Sequence, residues 1–326
     1  MFKIMITDYQ WPNLDIERAI LGPLPAELIV AKTGAEGELL GLAPPVDAIL
    51  TCWQQVTPRV IDAAPGCRII VRYGIGLYNI AVDHATRLGI PVTNAPTYCL
   101  DEVAEHALAL MFSLARRVTR FDRALRGGNY AGVEFAGMRR IAGKTLGIIG
   151  YGHIGRSLAP RARGLGLKVQ VCDPAVASLP PEEGRVVDLD TLLATSDFIT
   201  LHAPLLPATR NLIGREALAK VKAGCFLVNT SRGGLVDLDA VLEALESGRL
   251  GGCGLDVYPY EPPDLKHPLF QHPRFIPTPH SAFFSEESVE NLQHTSAGQV
   301  RDALTGKTPA PIVNPDYAQH APRFRR

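Results

Sequence analysis

Arg232, Glu261 and His280 are residue types that bind carboxylates and move protons, and all three lie in the last third of the sequence. Arg232 follows the apolar run Phe226-Leu227-Val228-Asn229 and stands beside Gly233-Gly234. A planar guanidinium next to a glycine pair suits bidentate binding of a carboxylate. His280 lies in Thr278-Pro279-His280-Ser281, and histidine is the side chain best able to exchange a proton near neutral pH. Glu261 sits in a loop stiffened by Pro259, Pro262 and Pro263. Taken singly, each has an ordinary reading: a solvated arginine, an exposed glutamate, a structural histidine.

A glycine motif gives them context. Gly150-Tyr151-Gly152-His153-Ile154-Gly155 directly follows the predicted strand Thr145–Ile149 and opens a predicted helix. That is the setting in which G-x-G-x-x-G binds a dinucleotide pyrophosphate. The first glycine permits the tight turn, the second lets backbone approach phosphate, and the third lets helix and strand pack closely. The free N–H groups of the helix then face the phosphates. The next predicted strand ends at Asp173, 18 residues past Gly155, and Pro174, Ala175 and Val176 follow with no arginine. A carboxylate there accepts from the adenosine ribose diol and repels a 2′-phosphate, so the expected cofactor is NAD rather than NADP.

The elements that must position these residues are legible as two alternating series. Phe2–Thr7, Leu28–Ala31, Ala48–Cys52, Ile69–Arg72 and Pro91–Asn94 read as short Ile- and Val-rich strands, as in buried parallel sheets. A second series reads Thr145–Ile149, Lys168–Cys172, Phe198–Leu201, Cys225–Asn229, Gly254–Val257 and Arg274–Ile276. Between the two series, the spacing predicts one long amphipathic helix from Asp101 to Arg126, acidic at its start, arginine-rich at its end and stopped by Gly127-Gly128. The fold class is α/β: two Rossmann-like parallel-sheet lobes with a cleft between them. In open parallel sheets, ligands bind outside the carboxyl ends of strands. In the second series those ends deliver Gly150, Asp173, His202-Ala203-Pro204, Thr230-Ser231-Arg232, Asp256 and His280 to one edge. This placement predicts a dinucleotide site with Arg232 and His280 near its reactive end.

Together with Arg72-Tyr73-Gly74-Ile75-Gly76, Leu201-His202-Ala203-Pro204, Asn229 to Gly234, Asp256-Val257, Glu261-Pro262 and Pro279-His280, the chain resembles the D-isomer-specific 2-hydroxyacid dehydrogenases, the group that includes phosphoglycerate dehydrogenase. Tyr98-Cys99 and the run from His280 to Glu286 look most like the branch containing the C-terminal-binding corepressors. The resemblance implies an NAD-dependent enzyme that interconverts a D-2-hydroxy acid and its 2-keto acid. Arg232 would bind substrate carboxylate, His280 would be the acid/base, and Glu261 its partner. Tyr73, Gly74, Ile75, Gly76 and Phe283 would join Arg232 in holding substrate. His153, Ile154, Pro204, Thr209 and Asp256 would line the cofactor site. Residues 1–99 and 288–326 would form a discontinuous substrate-binding domain and residues 100–287 the dinucleotide-binding domain. The long helix would build a homodimer. The alternative is an NAD(H)-sensing, corepressor-like interaction protein. Two positions depart from the pattern: Tyr78 stands where the family usually has an acid, and Phe283 where the corepressor branch has tryptophan.

The composition excludes several other classes. The chain has 326 residues, 46% of them hydrophobic and 20% charged, which is ordinary globular composition. Lys plus Arg and Asp plus Glu are each 33, so the neutral chain lacks the basic footprint of a nucleic-acid binder. No apolar run approaches the roughly 20 residues a membrane span needs, and the N-terminus reads as a strand rather than a signal peptide. Six scattered cysteines without a C-x-x-C pair suggest core residues of a reduced cytoplasmic protein. His267 and His272 read as loop residues, so no metal is expected.

Overall fold

Ile- and Val-rich runs bounded by glycine and proline form most of the parallel strands of the computed structural model, which describes residues 1–130, 138 and 140–320. Residues 131–137, 139 and 321–326, which fall within the two expected domains, lie outside the described residues. Along the chain come β1 (Phe2–Ile6), α1 (Asp15–Leu21), β2 (Ala26–Val30), α2 (Glu36–Leu42), β3 (Ala48–Thr51), α3 (Pro58–Asp62), β4 (Ile69–Arg72), α4 (Val82–Arg87) and β5 (Val92–Thr93). Then follow α5 (Leu100–Arg116), α6 (Val118–Arg126), β6 (Thr145–Ile149), α7 (His153–Gly164), β7 (Lys168–Cys172), β8 (Arg185–Val186), α8 (Leu189–Thr195) and β9 (Phe198–Leu201). The series ends with α9 (Arg215–Lys220), β10 (Cys225–Asn229), α10 (Leu238–Glu246), β11 (Leu250–Leu255), β12 (Phe275–Pro277) and α11 (Glu286–Leu304).

The chain divides into two compact units, one of Met1–Tyr98 with Ser285–Arg326 and one of Cys99–Phe284. The first holds a parallel sheet of order β2-β1-β3-β4-β5. Alternate residues of its strands feed opposite cores, as the two-residue period of a strand requires. Ile4, Leu50 and Val71 pack with Leu14 of the α1 segment and with Leu292, Val300 and Leu304 of α11. Met5, Ile49 and Ile70 pack on the other face with Leu39 of α2, Val60 of α3 and Ala85 of α4. Helix α11 begins at a capping box, with the Ser285 side chain accepting from the Ser288 amide. Its Gln299 bonds Thr93, the Asn94 carbonyl and the Ala310 carbonyl. The last long helix thus completes the core begun by the first strand.

The second unit holds a parallel sheet of order β12-β11-β10-β9-β6-β7-β8. One face packs under α8, α9 and α10 through Leu192, Leu218 and Val241. The other packs under α5 and α7 through Leu108, Met111, Leu158 and Ala162. The order reverses between β6 and β9, and a doubly wound sheet opens its ligand crevice at that switch point.

Two expectations change. The predicted helix from Asp101 to Arg126 is broken at Arg117, which adopts a left-handed conformation (φ 55°) between α5 and α6. Leu108, Met111 and Leu114 anchor α5 to the sheet, whereas α6 buries none of its residues, so no packing enforces a continuous axis. Strand β11 starts at Leu250, earlier than the expected Gly254, because Gly251 and Gly252 extend the strand rather than break it. All six cysteines are unbridged thiols and five are buried. No helix among the described residues is long and apolar enough to cross a membrane.

Candidate active site

The glycine loop sits where β6 meets β9. Gly150 has φ 91°, and a Cβ there would lie 2.6 Å from the His202 carbonyl carbon and the Ala203 amide. A Cβ on Gly155 would lie 2.5 Å from the Gly150 carbonyl oxygen. Only glycine allows this closeness. The first residue of α7 is His153, and its N-cap Gly152 supplies no side-chain cap, so the helix N-terminus stays open towards an anion. Asp173, at the end of β7, accepts from the Tyr151 amide at 2.6 Å and the Ala175 amide at 2.8 Å. These contacts fix the carboxylate beside the glycine loop. The uncapped helix, the Cβ-free cradle and the acid together fit a dinucleotide without a 2′-phosphate.

The neighbouring strand ends are held by local hydrogen bonds. The Ser231 hydroxyl donates to the Ala203 carbonyl at 2.7 Å, and the Ser231 amide donates to the Asn229 side chain at 2.9 Å. The Thr209 hydroxyl donates to the Pro204 carbonyl at 2.7 Å and shapes the loop after β9. Thr230 is buried, with no partner for its hydroxyl oxygen. His202 lies 3.0 Å from the Thr200 hydroxyl through Nε2, and its Nδ1 is buried and unpartnered. Burial lowers the His202 pKa from 6.5 to about 4, so the folded chain keeps the ring neutral where the unfolded chain protonates it. Its contribution to stability is complete above about pH 6.5 and is lost as pH falls towards 4, a span of roughly 2–3 kcal/mol. The melting temperature is therefore expected to drop across that window. His202→Asn is expected to flatten the profile, and an unchanged slope in thermal melts would contradict the assignment.

Arg232, Glu261 and His280 come from three successive strand ends. The Arg232 Nη1 donates to the Ser231 carbonyl at 2.6 Å, and among the described residues no carboxylate pairs with the guanidinium. The Arg232 carbonyl accepts from the Asn229 side chain at 2.9 Å. A Cβ on the next residue, Gly233, would overlap the Tyr258 carbonyl carbon at 1.8 Å, so the Arg232 loop lies directly against the Tyr258–Pro259 backbone. The Tyr258 amide in turn donates to Glu261 Oε1 at 3.0 Å, and Glu261 Oε2 lies 2.6 Å from His280 Nδ1. Burial alone would raise the Glu261 pKa, but the hydrogen bond and charge of His280 and the Tyr258 amide outweigh it and hold the carboxyl below its ordinary value. A carboxylate on Nδ1 orients the ring and leaves Nε2 as the proton-transfer atom.

For Asp256, expected beside the cofactor, the structure shows a structural task. It is fully buried, accepts the Thr278 hydroxyl and the Ser281 and Ala282 amides, and offers its backbone carbonyl to the His280 amide at 2.8 Å. His280 itself has φ 53°, a conformation that needs such support in a non-glycine residue. The Phe283 ring stands 6.4 Å from the His280 ring, edge to face.

The remaining predicted residues lie in the other unit. The Arg72 Nε donates to the Gly76 carbonyl at 2.9 Å, and Asn94 donates to the Ile75 carbonyl at 2.8 Å. Both carbonyls are thereby consumed, while nothing among the described residues accepts from the Ile75 and Gly76 amides. Tyr73 is different. Its ring is buried, with the hydroxyl on Glu17 at 2.9 Å and Trp11 edge-on at 4.8 Å, so the side chain is a core group and only its backbone adjoins Gly74. Sequence reasoning gave no role to Asp8, which accepts from the Cys52, Trp53 and Gln54 amides beside this loop. Its signal was an acid just past the end of the first strand. Among the described residues, no group of three or more His, Cys, Asp or Glu could hold a metal ion.

Residues 108–282 match the family model described as D-isomer specific 2-hydroxyacid dehydrogenase, NAD binding domain. The chain belongs to the D-isomer specific 2-hydroxyacid dehydrogenase family. The matched region runs from the middle of α5 past His280, and so includes the glycine loop, Asp173, Arg232 and Glu261. The chain is 38% identical over 319 residues to D-3-phosphoglycerate dehydrogenase of Synechocystis sp., covering 96% of this chain and 56% of that protein. It is 42% identical over 260 residues to hydroxypyruvate reductase of Thermotoga maritima, covering 78% of this chain and 84% of the relative. The apo structure of D-lactate dehydrogenase from Escherichia coli superposes with a TM-score of 0.84 at 28% identity, covering 96% of this chain and all of that one. The chain spans about half the length of the phosphoglycerate dehydrogenases it matches.

Proposed function

We propose that the chain is an NAD-dependent oxidoreductase that interconverts a D-2-hydroxy acid and its 2-keto acid. The observation that carries the reading is the 2.6 Å pair of His280 Nδ1 and Glu261 Oε2, on a loop that packs against the residue following Arg232. Bound NADH would supply the hydride. Arg232 binds the substrate carboxylate and polarises the keto oxygen, with Nη1 fixed by the Ser231 carbonyl and its other N–H groups free to face substrate. His280 gives the Nε2 proton to the keto oxygen as the carbonyl carbon is reduced, and takes one back in the reverse direction. Glu261 stays ionised, orients the ring and stabilises its protonated form. Asp173 favours NAD over NADP.

The test is a panel of 2-keto acids (glyoxylate, pyruvate, hydroxypyruvate and phenylpyruvate) assayed with NADH and NADPH. Turnover is expected with at least one acid and chiefly with NADH. No turnover across the panel would sink the reading. We further propose a homodimer formed through α6, whose Val118 and Leu125 are exposed by 55% and 52%. Light scattering should return twice the 35.3 kDa chain mass, and a monomer would refute it.

A further inference from the structure

Helix α5 lies unusually close to β11. A Cβ on Gly254 would sit 3.2 Å from Leu110 Cβ, and one on Gly252 would sit 3.0 Å from Leu114 Cδ2. His106, Leu110 and Leu114 are spaced by four, so they share one face of the helix. Close packing of the two leucines brings His106, a turn earlier, to the carboxyl ends of β11 and β12. There His106 Nε2 lies 3.0 Å from the Thr278 hydroxyl and 3.6 Å from Asp256 Oδ1.

The direction of these bonds is fixed by chemistry. An ionised carboxylate only accepts, so the Thr278 hydroxyl, 2.6 Å from Asp256 Oδ1, must donate to it. Its oxygen is left to accept, which places the His106 proton on Nε2. The chain of donors ends on a carboxylate with no solvent exposure. A buried carboxylate is tolerated only when its lone pairs are filled. Asp256 fills them with Thr278 and with the Ser281 and Ala282 amides, the two residues after His280.

We propose that His106 is a positioning residue for His280, acting through Thr278 and Asp256 to hold the 280–282 turn with His280 in its left-handed conformation. The proposal rests on His280 being the proton donor. It needs no contact between His106 and substrate or cofactor.

The test compares His106→Ala, His106→Gln and Thr278→Val in the full chain. The glutamine amide can still donate to Thr278, and valine keeps the threonine shape without the hydroxyl. In the cofactor-free protein, amide exchange at Ser281 and Ala282 should accelerate about tenfold in His106→Ala and Thr278→Val, the equivalent of about one hydrogen bond, and recover in His106→Gln. The kcat for keto-acid reduction should fall about tenfold in the same two variants while KM for NADH stays within about twofold. Wild-type exchange rates and wild-type kcat in Thr278→Val would overturn the proposal, as would a fall in melting temperature with kcat unchanged in His106→Ala. Accelerated exchange in a protein whose wild type reduces no keto acid would support the network and reject the catalytic reading instead.

Discussion

His280→Asn is expected to remove keto-acid reduction while leaving the fold and NADH binding in place. Asparagine is the informative replacement because position 280 has φ 53°. Asparagine tolerates that region, whereas alanine adds about 1 kcal/mol of backbone strain. The amide of residue 280 can still donate to the Asp256 carbonyl, and Asp256 can still hold residues 281 and 282. Only the proton carrier is lost. General acids of this kind contribute about 10²–10⁴ in rate, so kcat should fall by about 10³ with the melting temperature within a few degrees of wild type. Glu261→Gln should fall less, because the imidazole remains but its charged partner does not. Stopped-flow reduction with saturating NADH measures both. A His280→Asn enzyme with more than about a tenth of wild-type kcat would remove His280 from the chemistry.

Arg232→Ala is expected to cost about 10³ in kcat/KM, split between weaker keto-acid binding and slower reduction. Loss of one partner from a desolvated, hydrogen-bonded charge pair is worth about 3–5 kcal/mol. The loop should survive the change. Its anchors are the Asn229 side chain on the Arg232 backbone carbonyl, the Ser231 contacts to Asn229 and Ala203, and the contact of Gly233 with Tyr258. None of these needs the guanidinium. Arg232→Lys keeps the charge but not the planar fork, so it should recover only part of the loss. Steady-state kinetics beside an NADH titration separates the effects. A normal KM for the keto acid in Arg232→Ala would show that the carboxylate is held elsewhere.

The parts of the molecule that could be read from the sequence are those governed by short-range rules. Thr145–Ile149, Lys168–Cys172, Phe198–Leu201 and Cys225–Asn229 are short runs rich in apolar residues, and β6, β7, β9 and β10 occupy those residues. The glycine loop is legible because three glycines at fixed offsets follow a strand. What escaped depends on a partner far along the chain. Gly251 and Gly252 look like breakers until Leu114 of α5 is seen against the strand. Arg117 looks like one more helical residue, since nothing local reports that packing stops there. The strand Arg185–Val186 is too short and too polar to stand out without its pairing to Gln170 and Val171. His106 falls inside the predicted helix, and nothing local points to its partner Thr278, 172 positions away. The same limit hid the burial of Tyr73, whose hydroxyl finds Glu17.

The way α11 closes the first sheet bears on how the molecule is made. Leu292, Val300 and Leu304 complete a core begun by Ile4 and Ile6, and Gln293 reaches Glu17 at 2.9 Å. A chain emerging from the ribosome exposes the first 98 residues with that half of their interior open until the last long helix has been synthesised. The cofactor unit, continuous from Cys99 to Phe284, has every strand it needs before then. In chain order, the unit that is begun earlier is therefore the one completed later.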